Sequence, residues 1–144
     1  MLKYVSIILK FFSLGLVIAA GGFWAGGEVD RRPKYRDEQT LIGGTVWTQT
    51  IIPIGLIISS IIEEELYVFV HAYFLFAGVL LLFTTGLVLI IGEYKSMHRR
   101  DSLPTLPTPV ERPSYDKIYL GIGILSLLAG IFTFIDFLII IICR

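Results

Sequence analysis

Four long apolar runs alternate with polar stretches along the chain, covering about residues 4–24, 41–62, 66–91 and 118–143. At 1.5 Å per helical residue, each is long enough to cross a hydrocarbon layer of about 30 Å. The pattern predicts an all-α membrane protein: one domain built as a four-transmembrane-helix antiparallel bundle, with longer loops over 26–40 and 93–117. The fourth run, Ile118 to Cys143, is the most informative because it holds Asp136 well inside hydrophobic sequence. Ser126, Gly130, Thr133 and Asp136 recur three or four residues apart, so they share one helix face. That face is expected to be buried against other helices.

The other spans add small residues and one breaker. Gly22 and Gly26 lie four apart at the end of the first span, a small-xxx-small spacing that admits a second helix closely. Lys10 interrupts the first apolar run, so the segment reads as a retained span rather than a signal peptide. Pro53 in the second span removes a backbone donor and predicts a kink, with Gly55 and Ser59 on a small face beyond it. Glu63, Glu64 and Glu65 leave a very short turn, which makes the second and third helices antiparallel neighbours. The third span carries His71 near its start, aromatic residues after it, and then Gly78 and Gly86. Pro104, Pro107, Pro109 and Pro113 mark the stretch from Glu93 to Lys117 as an extended loop.

Composition agrees with a membrane class: 55% of the residues are hydrophobic, 17% are charged, and mean hydropathy is +0.78. The formal net charge is zero, which gives no basic field to attract nucleic acid. Cys143 is the only cysteine, so no internal disulfide forms; its place at the end of a span makes it a candidate for palmitoylation. The chain contains no asparagine and therefore no N-glycosylation acceptor. Ser102, Thr105 and Thr108 are candidate phosphorylation sites if the third loop faces the cytosol.

A lone charge in lipid costs several kcal/mol and normally acquires a partner or a water path. Lys10 and Asp136 lie at similar depth below the membrane surface that bears the termini, and His71 enters from that surface too. The sequence thus predicts an intramembrane polar cluster of Lys10, His71 and Asp136, with Ser59 nearby. The competing reading has Lys10 snorkelling outward and His71 lying at the interface. No metal-binding spacing, phosphate loop or nucleophile with a base is found, and Gly121 and Gly123 lack the strand-to-helix setting of a nucleotide fingerprint. Neither an enzyme nor a cofactor is expected.

The second span, LIGGTVWTQTIIPIGLIISSI, the third, HAYFLFAGVLLLFTTGLVLIIGEY, and the fourth, LGIGILSLLAGIFTFIDFLI, resemble small insect four-helix membrane proteins of the MARVEL-like, Snakeskin-related kind. The residues carrying the resemblance are Gly44 and Thr45 in the second span, Gly78 and Gly86 in the third, and Ala129, Gly130 and Asp136 in the fourth. The resemblance implies a tetraspan bundle of MARVEL or claudin-like topology, no enzymatic activity, and a role in junctional or membrane-organising complexes, with cytosolic termini. The proline-rich third loop departs from the pattern. The lysines and arginines argue for the opposite orientation, because most of them lie in the two longer loops, which places those loops in the cytosol.

Two functional expectations follow. In the first, a multi-pass protein, expected in the plasma membrane, packs with itself or with other membrane proteins through faces bearing Gly22, Gly26, Gly55, Gly78, Gly86, Ser126 and Gly130, at a junction or as an accessory subunit, and its basic loops meet the anionic head groups of lipids if they are cytosolic. In the second it is a small subunit of a transport or energy-transducing complex, with Asp136 near an ion or proton route.

Overall fold

A computed structural model describes residues 2–26, 36–62, 67–101 and 117–143. These form four helices: α1 (Leu2–Gly26), α2 (Arg36–Ile61), α3 (Val68–Asp101) and α4 (Lys117–Cys143). All four are long and apolar enough to cross a membrane, and no strand occurs among the described residues.

The helices form an all-α antiparallel bundle in which α1 touches α2 and α4, and α3 touches the same two. Direction is fixed by the pairs that meet. Ser6 meets Asp136, and Ser13 meets Thr133, so α1 rises as α4 falls. Thr45 meets Thr85 and Gln49 meets Gly78 across α2 and α3. Gly86 meets Gly123 and Phe83 meets Gly130 across α3 and α4.

The core runs down the bundle axis in layers. Near the end away from the termini, Ala20, Ile42, Leu89, Tyr119 and Ile122 pack together, with Trp24 edge-on to Tyr119 at a ring separation of 6.1 Å. Val17, Leu82 and Ala129 form a middle layer, and Leu56, Leu75 and Ile140 a third. Most of the buried polar side chains lie between these layers, and His71 lies one turn beyond the third.

Glycine sets how closely the helices approach. A Cβ on Gly86 would stand 3.0 Å from the carbonyl oxygen of Gly123 and 2.7 Å from Leu127 Cγ, so α3 and α4 nearly touch through backbone. This is the most extensive interface of the bundle. The second and third helices are antiparallel neighbours, yet theirs is the thinnest interface. The acidic turn that joins them, Glu63–Glu65, lies outside the described residues.

Two helix ends differ from the sequence prediction. The helix α2 begins at Arg36, inside the stretch 26–40 expected to be loop, and α3 continues through Glu93 to Asp101. After Pro33 no glycine or proline breaks the chain before Gly43, and none intervenes between Gly92 and Pro104. Helical hydrogen bonding therefore runs past the edge of the apolar sequence until a breaker approaches.

Candidate functional site

The centre of interest lies between α1 and α4 in the half of the bundle nearer the termini. On α1 the residues Ser6, Lys10, Ser13, Val17 and Ala20 recur at intervals of three and four, so one stripe faces inward. On α4 the matching stripe is Asp136, Thr133, Ala129 and Ser126. All of these are buried except Ser6, which is half-buried.

Lys10 does not snorkel. Its side chain is only 3% exposed and Nζ lies 2.7 Å from Asp136 Oδ2, while Asp136 is itself 1% exposed as a side chain. The Ser6 hydroxyl closes a ring: it accepts from Lys10 Nζ at 2.5 Å and donates to Asp136 Oδ1. Nζ and Oδ2 form an ion pair, and a carboxylate oxygen has more than one lone pair, so Oδ2 keeps acceptor capacity unused. One turn further in, Thr133 donates to the Ala129 carbonyl at 2.8 Å, and its hydroxyl lies 2.8 Å from that of Ser13.

A small cavity adjoins this network. Lys10, Ser13, Gln49, Pro53, Thr133 and Asp136 line it together with aliphatic and aromatic side chains of α1, α2 and α3. Gln49 reaches it from α2. Its amide lies over Gly78, where a Cβ would fall 2.7 Å from Oε1. Gln49 is buried, and among the described residues its Nε2 has no hydrogen-bond partner. His71 is also buried, within electrostatic reach of Lys10 and Asp136, and among the described residues its Nε2 likewise has no partner.

Of the predicted cluster, the structure joins Lys10 to Asp136 and puts His71 close by. Ser59 is half-buried on α2 and does not line the cavity; the hydroxyl that reaches the ion pair is Ser6. Ser6 stands one helical turn before Lys10, so its position on the same face was legible in the spacing. Gln49 is not legible as part of the site, because a glutamine in an apolar run gives no sign of which way it points.

The predicted packing residues divide into two groups. Gly78, Gly86, Ser126 and Gly130 are buried inside the bundle, whereas Gly22, Gly26 and Gly55 are exposed, with nothing within 4 Å of where a Cβ would stand. Gly21 and Gly123 also make close internal contacts, with Val46 and Ile90 respectively. Ser102, Thr105 and Thr108 lie outside the described residues, and Cys143 is the last residue of α4.

Chemically, the site offers one ion pair, several hydroxyls, an amide and an imidazole, closed off on one side by aliphatic layers. Among the described residues no group of histidine, cysteine, aspartate and glutamate could hold a metal ion. No protein-family model, curated protein or solved structure matches the chain.

Proposed function

We propose that this protein is a non-enzymatic membrane protein that works by lateral packing, with copies of itself or with other membrane proteins, in a junctional or membrane-organising assembly or as an accessory subunit. The observation that carries this reading is an outward stripe on α1. Gly15, Ala19, Gly22 and Gly26 are all exposed and recur at intervals of four, three and four, and the three glycines have open space where a Cβ would stand. In lipid, small residues on an outer face let another helix approach to backbone contact, and that packing drives association. Gly44 and Gly55 leave similar gaps on α2. The inward glycines are spent on the bundle itself, and the intramembrane charges are paired within it, so these outer faces are what the fold leaves for a partner.

The resemblance to MARVEL-like and Snakeskin-related proteins supports the same reading and would place the protein in the plasma membrane. The test is the mass and composition of the particle released from its native membrane in a mild detergent. Multiples of this chain alone support self-assembly, and a fixed ratio with another membrane protein supports an accessory role. A lone monomer refutes lateral packing.

A second reading has one observation in its favour: the cavity touching Asp136, which an ion or proton route in a transport complex would use. Against it, the layers Val17, Leu82, Ala129 and Ala20, Ile42, Leu89, Ile122 put aliphatic side chains across the rest of the axis. Uptake or conductance that falls in Asp136→Asn would favour this reading over the first.

A further inference from the structure

We propose that the cavity beside Asp136 is a built site for a single water molecule, which bridges the side-chain amide of Gln49 on α2 to the carboxylate of Asp136 on α4. Three observations converge on it. Gln49 is only 2% exposed, and its Nε2 has no partner although it lines a cavity. Asp136, 1% exposed, lines the same cavity and has an oxygen with acceptor capacity to spare. Pro53 lines it too, and having no N–H it cannot serve the carbonyl of Gln49 one turn earlier.

An unpaired amide in a membrane interior is unfavourable, because lipid supplies no substitute partner. A buried water needs two to four polar partners and little space, and this cavity has room for about one. Charge selects the occupant. Lys10 at 2.7 Å already neutralises Asp136, so a second cation would face the ammonium and an anion would face the carboxylate. A neutral molecule that both donates and accepts fits this lining. Water also serves either orientation of the amide, accepting from Nε2 or donating to Oε1.

The consequence is a link across the diagonal of the bundle. The helices α2 and α4 share no backbone contact among the described residues, and α2 has the thinner interfaces. The water ties α2 to the charged network of α1 and α4 at the level of the Pro53 turn.

The sequence makes the test clean, since the chain has two glutamines and no asparagine. In ¹⁵N-labelled protein in bilayers, only Gln39 and Gln49 contribute side-chain amide signals, and Gln49→Leu assigns them by loss of one pair. With magnetisation selected from water, the expected result is direct transfer to the Gln49 amide in the unaltered protein. Gln39, at the membrane edge, is the positive control. Transfer to Gln39 alone would overturn the proposal and leave the lateral-packing reading untouched.

Discussion

Lys10 Nζ and Asp136 Oδ2 stand 2.7 Å apart inside the bundle, with Ser6 bonded to both side chains. Removing either charge leaves the other buried without its partner, a change that costs about 3–5 kcal/mol in proteins. Asp136→Ala and Lys10→Met should each lower the stability of the bundle by about that much, read as the midpoint of unfolding in mixed micelles. The pair Lys10→Met with Asp136→Leu removes both charges and should recover most of the loss. If the double variant is as unstable as either single one, the pair is not a closed unit.

The contact between Gly86 and Gly123 sets the spacing of α3 and α4. Added bulk at Gly86 meets Leu127 and, at 3.0 Å, a backbone oxygen that cannot rotate away. Gly86→Ala should destabilise by about 1–3 kcal/mol, the usual range for overpacking. Gly55→Ala, with open space around it, should not destabilise. Unfolding of the two variants side by side checks the contrast.

The outer stripe of α1 yields the opposite signature. Gly15→Leu with Gly22→Leu should leave the unfolding midpoint of the isolated bundle close to that of the parent, because nothing lies within 4 Å of either position. The same change should reduce lateral association, measured as the yield of cross-linked or co-purified complex from membranes. A drop in stability with association unchanged would remove α1 as the packing face.

The four helices were legible because apolar length against bilayer thickness is a strong signal. The inward face of α4 was legible as well, since Ser126, Thr133 and Asp136 are polar residues at helical spacing in an otherwise apolar run, and all three are buried. Equal depth of Lys10 and Asp136 made their meeting predictable. The direction of the glycines was not legible. These helices are hydrophobic nearly all round, so periodicity does not say which side faces the bundle, and glycine leaves no polarity to mark it. Gly22 and Gly86 look alike in sequence, yet one is exposed and the other buried. Gly123 became important only through where α3 and α4 cross, which is a tertiary fact.

The hydroxyl pair Thr45 and Thr85 joins α2 to α3 at 2.9 Å, with both residues buried. Hydrogen bonds between membrane helices contribute on average about 0.6 kcal/mol, because the separated helices also find partners. Thr85→Val keeps the shape and should cost about that amount. A loss several times larger would mean that this bond, rather than apolar packing, holds the thinnest interface together.

Gln49 and Gly78 offer the sharpest test of how α2 seats on α3. A Cβ at Gly78 would lie 2.7 Å from Oε1, 3.1 Å from Nε2 and 3.2 Å from Cδ of Gln49, so Gly78→Ala must displace the amide rather than the backbone. The displacement pushes the amide off the surface of α3. That amide is the end of a flexible side chain and can give way, so Gly78→Ala should destabilise the native chain by about 1 kcal/mol, the low end of the overpacking range. In a Gln49→Ala background the obstructing atoms are gone, and the same substitution should be nearly neutral. Residues in direct contact commonly show coupling of about 0.5–3 kcal/mol, well above the scatter for independent sites. A double-mutant cycle on unfolding free energies measures it. Additive effects would show that the amide does not rest on Gly78, and the seat of α2 would then have to lie in the Thr45–Thr85 bond and the aliphatic contacts of Ile42 and Leu56.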